Sequence, residues 1–145
     1  MCGIYCSNFL YPKEIIEKKM DSIKFRGPDH TGIIEINKII LAHNRLAIID
    51  LDKRSNQPFS YLHLKIVYNG EVYNYKELRT SLKKKGYSFT TQSDTEVLLA
   101  LYLEYEEECV KHLNGMFAFT IYDDKNKTLF IARDRLGQKP LHYMI

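Results

Sequence analysis

The sequence is short of every feature that would send a chain into a membrane or out of the cell. Its longest apolar run, Val97 to Leu103, is far too short to span a bilayer. No basic segment followed by an apolar stretch opens the chain; Cys2-Gly3-Ile4-Tyr5 starts structure at once. Three cysteines in 145 residues are an odd number and make no secreted disulfide framework. The 21 Lys and Arg exceed the 18 Asp and Glu by only three, dispersed along the chain, which argues against nucleic acid or a membrane surface as partner. No C-x2-C or H-x3-H pairing accompanies Cys2, Cys6 and the five scattered histidines, so no metal site is expected. There is no internal repeat and no low-complexity segment. What remains is an ordinary globular composition, 45% hydrophobic and 27% charged. One domain of this size can bury roughly 70% of its unfolded surface without staples. A soluble cytoplasmic protein is the expectation.

Hydrophobic periodicity then gives a mixed chain. Gly3 to Ser7 reads as a buried strand, and Pro12 to Ile23 as a helix with Ile16, Met20 and Ile23 on one face. After the loop Arg26-Gly27-Pro28-Asp29, the runs Thr31 to Ile36 and Lys38 to His43 form a hairpin around Asn37. Leu46 to Leu51 is apolar and ends in the turn Ser55-Asn56-Gln57-Pro58. Leu64 to Tyr68 is a strand stopped by Asn69-Gly70, and Tyr75 to Lys85 an amphipathic helix with Gly86 at its C-terminal cap. Ser93-Asp94-Thr95-Glu96 matches a capping box and opens an apolar helix to about Tyr105. A helical turn at Cys109 to Leu113 precedes the hairpin strands Met116 to Tyr122 and Thr128 to Arg133. The order lacks strict βαβ alternation, so the fold class is α+β with mostly antiparallel sheet.

Cys2 is the most informative position. Methionine aminopeptidase removes Met1 when a small residue follows, leaving a thiol and a free α-amine on one residue. The amine titrates near 7.7–8.0 and the thiol near 8.5, so a single residue supplies both a base and a strong nucleophile. An acyl-transfer nucleophile needs donors for the developing oxyanion, and Asn69-Gly70 offers an amide side chain and an unobstructed N–H; the same dipeptide is also a common tight turn. A small zwitterion needs a cation for its carboxylate, which Arg45 could supply, and an anion for its ammonium, which Asp94 or Glu71 could supply. Singly, each is equally an ordinary strand-end or helix-terminal charge.

Together, the segments Met1-Cys2-Gly3-Ile4, Arg26-Gly27-Pro28-Asp29, Arg45-Leu46-Ala47-Ile48-Ile49-Asp50, Asn56-Gln57-Pro58 and Tyr68-Asn69-Gly70-Glu71-Val72-Tyr73-Asn74 carry a resemblance. Ser93-Asp94-Thr95-Glu96, Gly115-Met116-Phe117-Ala118-Phe119 and the run Arg133 to Leu141 complete it. The chain resembles the class II glutamine amidotransferase domain, of the N-terminal nucleophile hydrolase type, specifically the glutaminase domain of asparagine synthetases. The resemblance runs in order and at family-like spacing over essentially the whole chain.

It implies an αββα fold, two mostly antiparallel sheets packed between helices. It implies that Cys2, once amino-terminal, attacks the side-chain amide of L-glutamine, with Asn69 and Gly70 as the oxyanion hole. Arg45 corresponds to the holder of the α-carboxylate, beside a wall of Leu46, Ala47, Ile48 and Ile49, and Glu71 and Asp94 to the α-amino end. The ammonia would serve an ATP-dependent amidation of the asparagine-synthetase type. ATP and Mg belong to a synthetase domain, whose pyrophosphate-binding loop does not occur in residues 1–145, and no cofactor is expected in this chain. Family members also add strands after the equivalent of Lys139-Pro140-Leu141, so the glutaminase domain is expected to be incomplete at its C-terminal side. A synthetase domain or subunit is the expected partner, and a homodimer stays open. Two alternatives stand beside this reading: a glutamine-binding or partner-docking module without turnover, and an amidotransferase acting on a sugar or peptide carboxylate. Lys83-Lys84-Lys85 reads as a solvated helix end, and no chemical role attaches to Arg26–Asp29 or Arg133–Arg135.

Overall fold

The computed structural model describes residues 1–144. In chain order the elements are β1 (Gly3–Ser7), α1 (Lys13–Ser22), β2 (His30–Ile36), β3 (Ile39–Arg45), β4 (Phe59–Tyr61), β5 (Leu64–Val72), α2 (Tyr75–Lys84), α3 (Asp94–Tyr105), β6 (Gly115–Asp123) and β7 (Thr128–Arg133), with three short 3-10 turns between them. The strands form two antiparallel sheets, ordered β1-β3-β2 and β4-β5-β6-β7.

Alternation along two central strands sets the layers. On β3, Ile40 and Ala42 bury against Ile16 and Met20 of α1. Leu41 turns to the other face, where it meets Val67 of β5 and Tyr122 of β6. On β5, Leu64, Ile66 and Tyr68 face away from that seam and join the apolar side of α3, including Val97, Leu98 and Leu101. The layers are therefore α1, the three-stranded sheet, the four-stranded sheet, and α2 with α3, which is the αββα arrangement the resemblance implied.

Local chemistry explains the boundaries. The first hairpin turns on two residues, Asn37 and Lys38, with φ of 49° and 67°, where the sequence suggested Asn37 alone. Two left-handed residues match the twist of the flanking strands. Helix α2 ends as expected at Gly86, which takes φ 96° while Gly86 N–H donates to Lys83 O and Tyr87 N–H to Leu82 O. The lysine that caps it is not simply solvated: Lys85 Nζ donates to Glu104 Oε1 at 2.5 Å and ties the end of α2 to α3. The Ser93 hydroxyl caps α3 by accepting Glu96 N–H at 3.4 Å, but the reciprocal half of the capping box is not formed. The buried Glu96 carboxylate instead takes the N–H and hydroxyl groups of Thr90 and Thr91, four donors in place of one.

The largest departure lies in β5. Asn69-Gly70 does not stop the strand; pairing continues through Asn69↔Ala118, Gly70↔Phe117 and on to Val72↔Gly115. Nine consecutive β6 partners outweigh the turn preference of an Asn-Gly dipeptide, and the glycine is there because a Cβ would run into the Met116 carbonyl oxygen and Tyr68 ring.

Candidate active site

A cleft opens at one end of the sandwich, where β1 begins, β3 ends, β5 runs past its neighbour β4, and α3 starts. Cys2 sits at its mouth. The sulfur accepts the Leu46 N–H at 3.4 Å, and the carbonyl of Cys2 accepts from Arg26 Nε at 3.1 Å. Asp29 N–H donates to Arg45 O at 3.0 Å and its carboxylate accepts Ala47 N–H at 2.8 Å. The Arg26–Asp29 motif thus fixes the backbone on both sides of the thiol. Burial pushes the thiol above its ordinary value; the Leu46 N–H, the positive chain terminus and Arg45 pull it back, and Asp94 pushes it up.

The oxyanion donors follow from strand parity. In an antiparallel strand alternate N–H groups point to opposite edges. The N–H groups of Tyr68 and Val72 leave the sheet toward Gln57 Oε1 at 2.7 Å and Asp94 Oδ2 at 3.0 Å, because β4 has already ended opposite Ile66. Gly70 lies between them with the same parity, so its N–H faces that open edge. The Asn69 side chain also lines the cleft and, among the described residues, makes no hydrogen bond to protein. Glu71 lines the cleft beside it.

Arg45 is buried at the end of β3, but its guanidinium is already engaged. Nη1 donates to Asp52 O at 2.9 Å and Asn56 Oδ1 at 2.8 Å; Nη2 donates to Ile49 O at 3.5 Å and to Asp50 O. Residues 46–52 therefore wind around the cation as a rim, and the apolar stretch there is not a strand. Leu46, Ile48 and Ile49 line the cleft, and the Ile48 and Ile49 N–H groups take no partner among the described residues. Ala47 is not brought to the cleft; its N–H is held by Asp29. Asp94, the first residue of α3, is 5% exposed and uses one oxygen for both Tyr68 Oη, at 2.8 Å, and Val72 N–H. Burial raises its carboxyl above the usual range, against the pull of Val72 N–H, the Tyr68 hydroxyl and the Asp94 and Thr95 N–H groups at the start of α3.

Several cleft residues were not legible from motifs. Gln57 carries Tyr68 N–H on its oxygen and reaches Thr95 Oγ1 at 3.4 Å with its nitrogen; reading Asn56-Gln57-Pro58 as a turn hid this. Tyr68 shares the parity of Gly70, a signal available only once β5 is carried through Val72. Lys139 enters from beyond β7. Among the described residues no group of three His, Cys, Asp or Glu could hold a metal ion, and no helix is long and apolar enough to cross a membrane.

The architecture is shared with a solved structure. Glutamine phosphoribosylpyrophosphate amidotransferase from B. subtilis, in complex with ADP and GMP, superposes with a TM-score of 0.81 at 22% identity, over 97% of this chain and 38% of that one. The likeness shows a shared fold, two antiparallel sheets packed between helical layers. The sequence profile of the glutamine amidotransferase domain matches residues 1–145, and the chain belongs to that family. Among curated relatives, asparagine synthetase [glutamine-hydrolyzing] 3 of Bacillus subtilis is 40% identical over 99% of this chain and 25% of its own length. Asparagine synthetase [glutamine-hydrolyzing] 1 of the same organism is 46% identical over 90% of this chain and 21% of its own length. The chain spans about a quarter of the length of these relatives.

Proposed function

We propose that this domain hydrolyses the side-chain amide of L-glutamine to glutamate and ammonia, with Cys2 as nucleophile, and that the ammonia feeds an ATP-dependent amidation of the asparagine-synthetase type carried by a synthetase domain or subunit. The observation that carries the reading is that Cys2, Asn69 and Gly70 line one cleft, with the Gly70 N–H on the open edge of β5. After removal of Met1 the Cys2 α-amine takes the thiol proton as sulfur attacks the amide carbon. The oxyanion forms between Asn69 and Gly70, where a single such donor lowers the barrier by about 2.7–4 kcal/mol. Collapse returns the proton to the leaving nitrogen and releases ammonia, leaving a glutamyl thioester. Water, deprotonated by the same amine, then gives glutamate and the free thiol.

The substrate's zwitterionic end fits the remaining groups. The Arg45 charge attracts the α-carboxylate, and the free rim N–H groups of Ile48 and Ile49 hold it beside Leu46. The Asp94 carboxylate, with Glu71 alongside, takes the α-ammonium. ATP and Mg serve the synthetase part in this reading, and the chain's own steps use neither; the enzyme works in the cytoplasm. Cys2→Ala tests it: with Met1 removal confirmed by intact mass in the unaltered protein, the variant should keep its melting temperature and lose all ammonia release. Stoichiometric labelling of Cys2 by a glutamine-mimicking diazoketone should vanish with it. Undiminished hydrolysis by Cys2→Ala would end the proposal.

A further inference from the structure

The run Arg133 to Lys139 has no part in the chemistry above, yet it is built with care. Asp134 accepts three main-chain N–H groups, from Phe117 at 3.2 Å, Gln138 at 2.8 Å and Lys139 at 3.0 Å. Arg133 donates Nε to Lys139 O at 2.7 Å and Nη2 to Gly137 O at 2.5 Å. Arg135 reaches back to the carbonyls of Leu113 and Val110. Arg133 and Asp134 between them hold the carbonyl and the N–H of Lys139, a residue that lines the cleft and is 4% exposed.

A buried ammonium is ordinarily paired with an anion. Among the described residues, the Lys139 Nζ has one partner, the thioether sulfur of Met1 at 3.0 Å. A thioether is a weak acceptor and does nothing to neutralise the charge. Covalent geometry keeps that sulfur within roughly 6 Å of the Cys2 nitrogen, which places Nζ within roughly 9 Å of it. Excision of Met1 removes the sulfur, bares the Cys2 α-amine, and leaves the ammonium facing the space between.

We infer that Lys139 is a positioning residue for the nucleophile: its fixed positive charge holds the Cys2 α-amine in the uncharged, proton-accepting form and favours the thiolate. The inference rests on the proposed removal of Met1 and on Cys2 as nucleophile. Two like charges brought together in a cleft repel, and an α-amine, ordinarily the weaker base of the two, is the one that gives up its proton. The other charges around Cys2 are accounted for. Arg26 lies on its carbonyl, and Arg45, spent on the rim, acts in the same direction as Lys139. Glu71 of β5, Asp94 of α3 and Asp29, whose carboxylate takes the Ala47 N–H, oppose it, and the Asp134 carboxylate is turned into its own amide donors. His43 on β3 is held neutral by burial, its value pushed down to about 3, and adds no charge.

The test compares the unaltered protein, Lys139→Met and Lys139→Arg, each with Met1 removal verified by intact mass. Two profiles are measured against pH: glutamine hydrolysis, and alkylation of Cys2 by iodoacetamide. Lys139→Met should move the acidic limb of both profiles up by roughly one pH unit, and Lys139→Arg should restore it. A merely structural loss would lower rates at every pH without moving the limb. Limbs unmoved in a folded Lys139→Met overturn the inference; if that variant has no melting transition, Lys139→Gln takes its place. Should the unaltered protein alkylate but hydrolyse no glutamine, the glutaminase reading fails, and the alkylation profile alone decides the role of Lys139.

Discussion

The two ends of the sandwich are made from the same strands and treat polar groups in opposite ways. At the hairpin end, Asp123 accepts the N–H groups of Lys125 and Asn126 and the Asn126 side chain. Asp124 beside it takes Asn37 Nδ2 at 2.5 Å and Lys127 Nζ at 2.7 Å, so the two sheets are laced together there. At the cleft end, among the described residues, the Asn69 amide, the Gly70 N–H and the rim N–H groups are left with nothing in the protein to bind. A hydrogen bond made within the fold is worth little net, but a donor left unmade in a buried place is costly unless a ligand completes it. The saturated end supplies stability, and the unsaturated end stores affinity for a substrate.

Substitutions at the two ends sharpen that contrast. Asn69→Ala should lower kcat about 10²–10³-fold with little change in melting temperature, since its amide contributes nothing to the folded chain until an oxyanion forms. Asp134→Asn should cost about 2 kcal/mol of stability at neutral pH, read by denaturant titration, because an amide cannot accept from three N–H groups as a carboxylate does. Tyr68→Phe, which removes the hydroxyl holding Asp94, should raise the glutamine KM roughly tenfold while kcat stays within twofold. Asp124→Ala should lower Tm by only about 2 °C and leave glutamine kinetics untouched, as exposed pairs do.

The carboxylates give the same contrast a pH signature. Burial raises Asp94, so its folded form holds a proton more tightly than the unfolded chain does. Its ionisation therefore costs stability, a cost absent in acid that grows as pH climbs from the ordinary Asp range through the raised value. Asp94→Asn should melt higher than the unaltered protein at pH 7 and bind glutamine worse. For Asp134 burial pushes upward as well, but the amides of Lys139, Gln138 and Phe117 prevail and hold it below the usual range. Its stabilisation is present above the ordinary carboxylate range and is lost as pH falls through its lowered value, measurable as a Tm difference between pH 7 and pH 3.

Most of the fold was legible because it rests on short-range pattern. The hairpin of β2 and β3, the helices α1 and α2, Gly86 and the Ser93 cap are all local signals, and each lies where periodicity or capping chemistry placed it. The strand through Asn69-Gly70 was not, because nine pairings with a segment 50 residues away overrule a dipeptide's preference. The site divides in the same way. Cys2, Asn69, Gly70, Arg45 and Asp94 announce themselves by residue type and do converge on one cleft. Gln57, Tyr68 and Lys139 carry no such label; their place depends on which strand edge is open and where a distant turn delivers a side chain. The engagement of Arg45 by its own rim was equally invisible, since four main-chain and side-chain oxygens appear around it only once the loop has closed.

That guanidinium, wrapped by carbonyls of the segment it precedes, serves as a mandrel on which the lip of the cleft is wound. Recognition by peptide nitrogens on such a former depends on contour and hardly on lettering. Leu51, 74% exposed and away from the cleft lining, is consequently free to drift, and descendants of this domain could refit the lip to new neighbours without losing their grip on the amino acid inside.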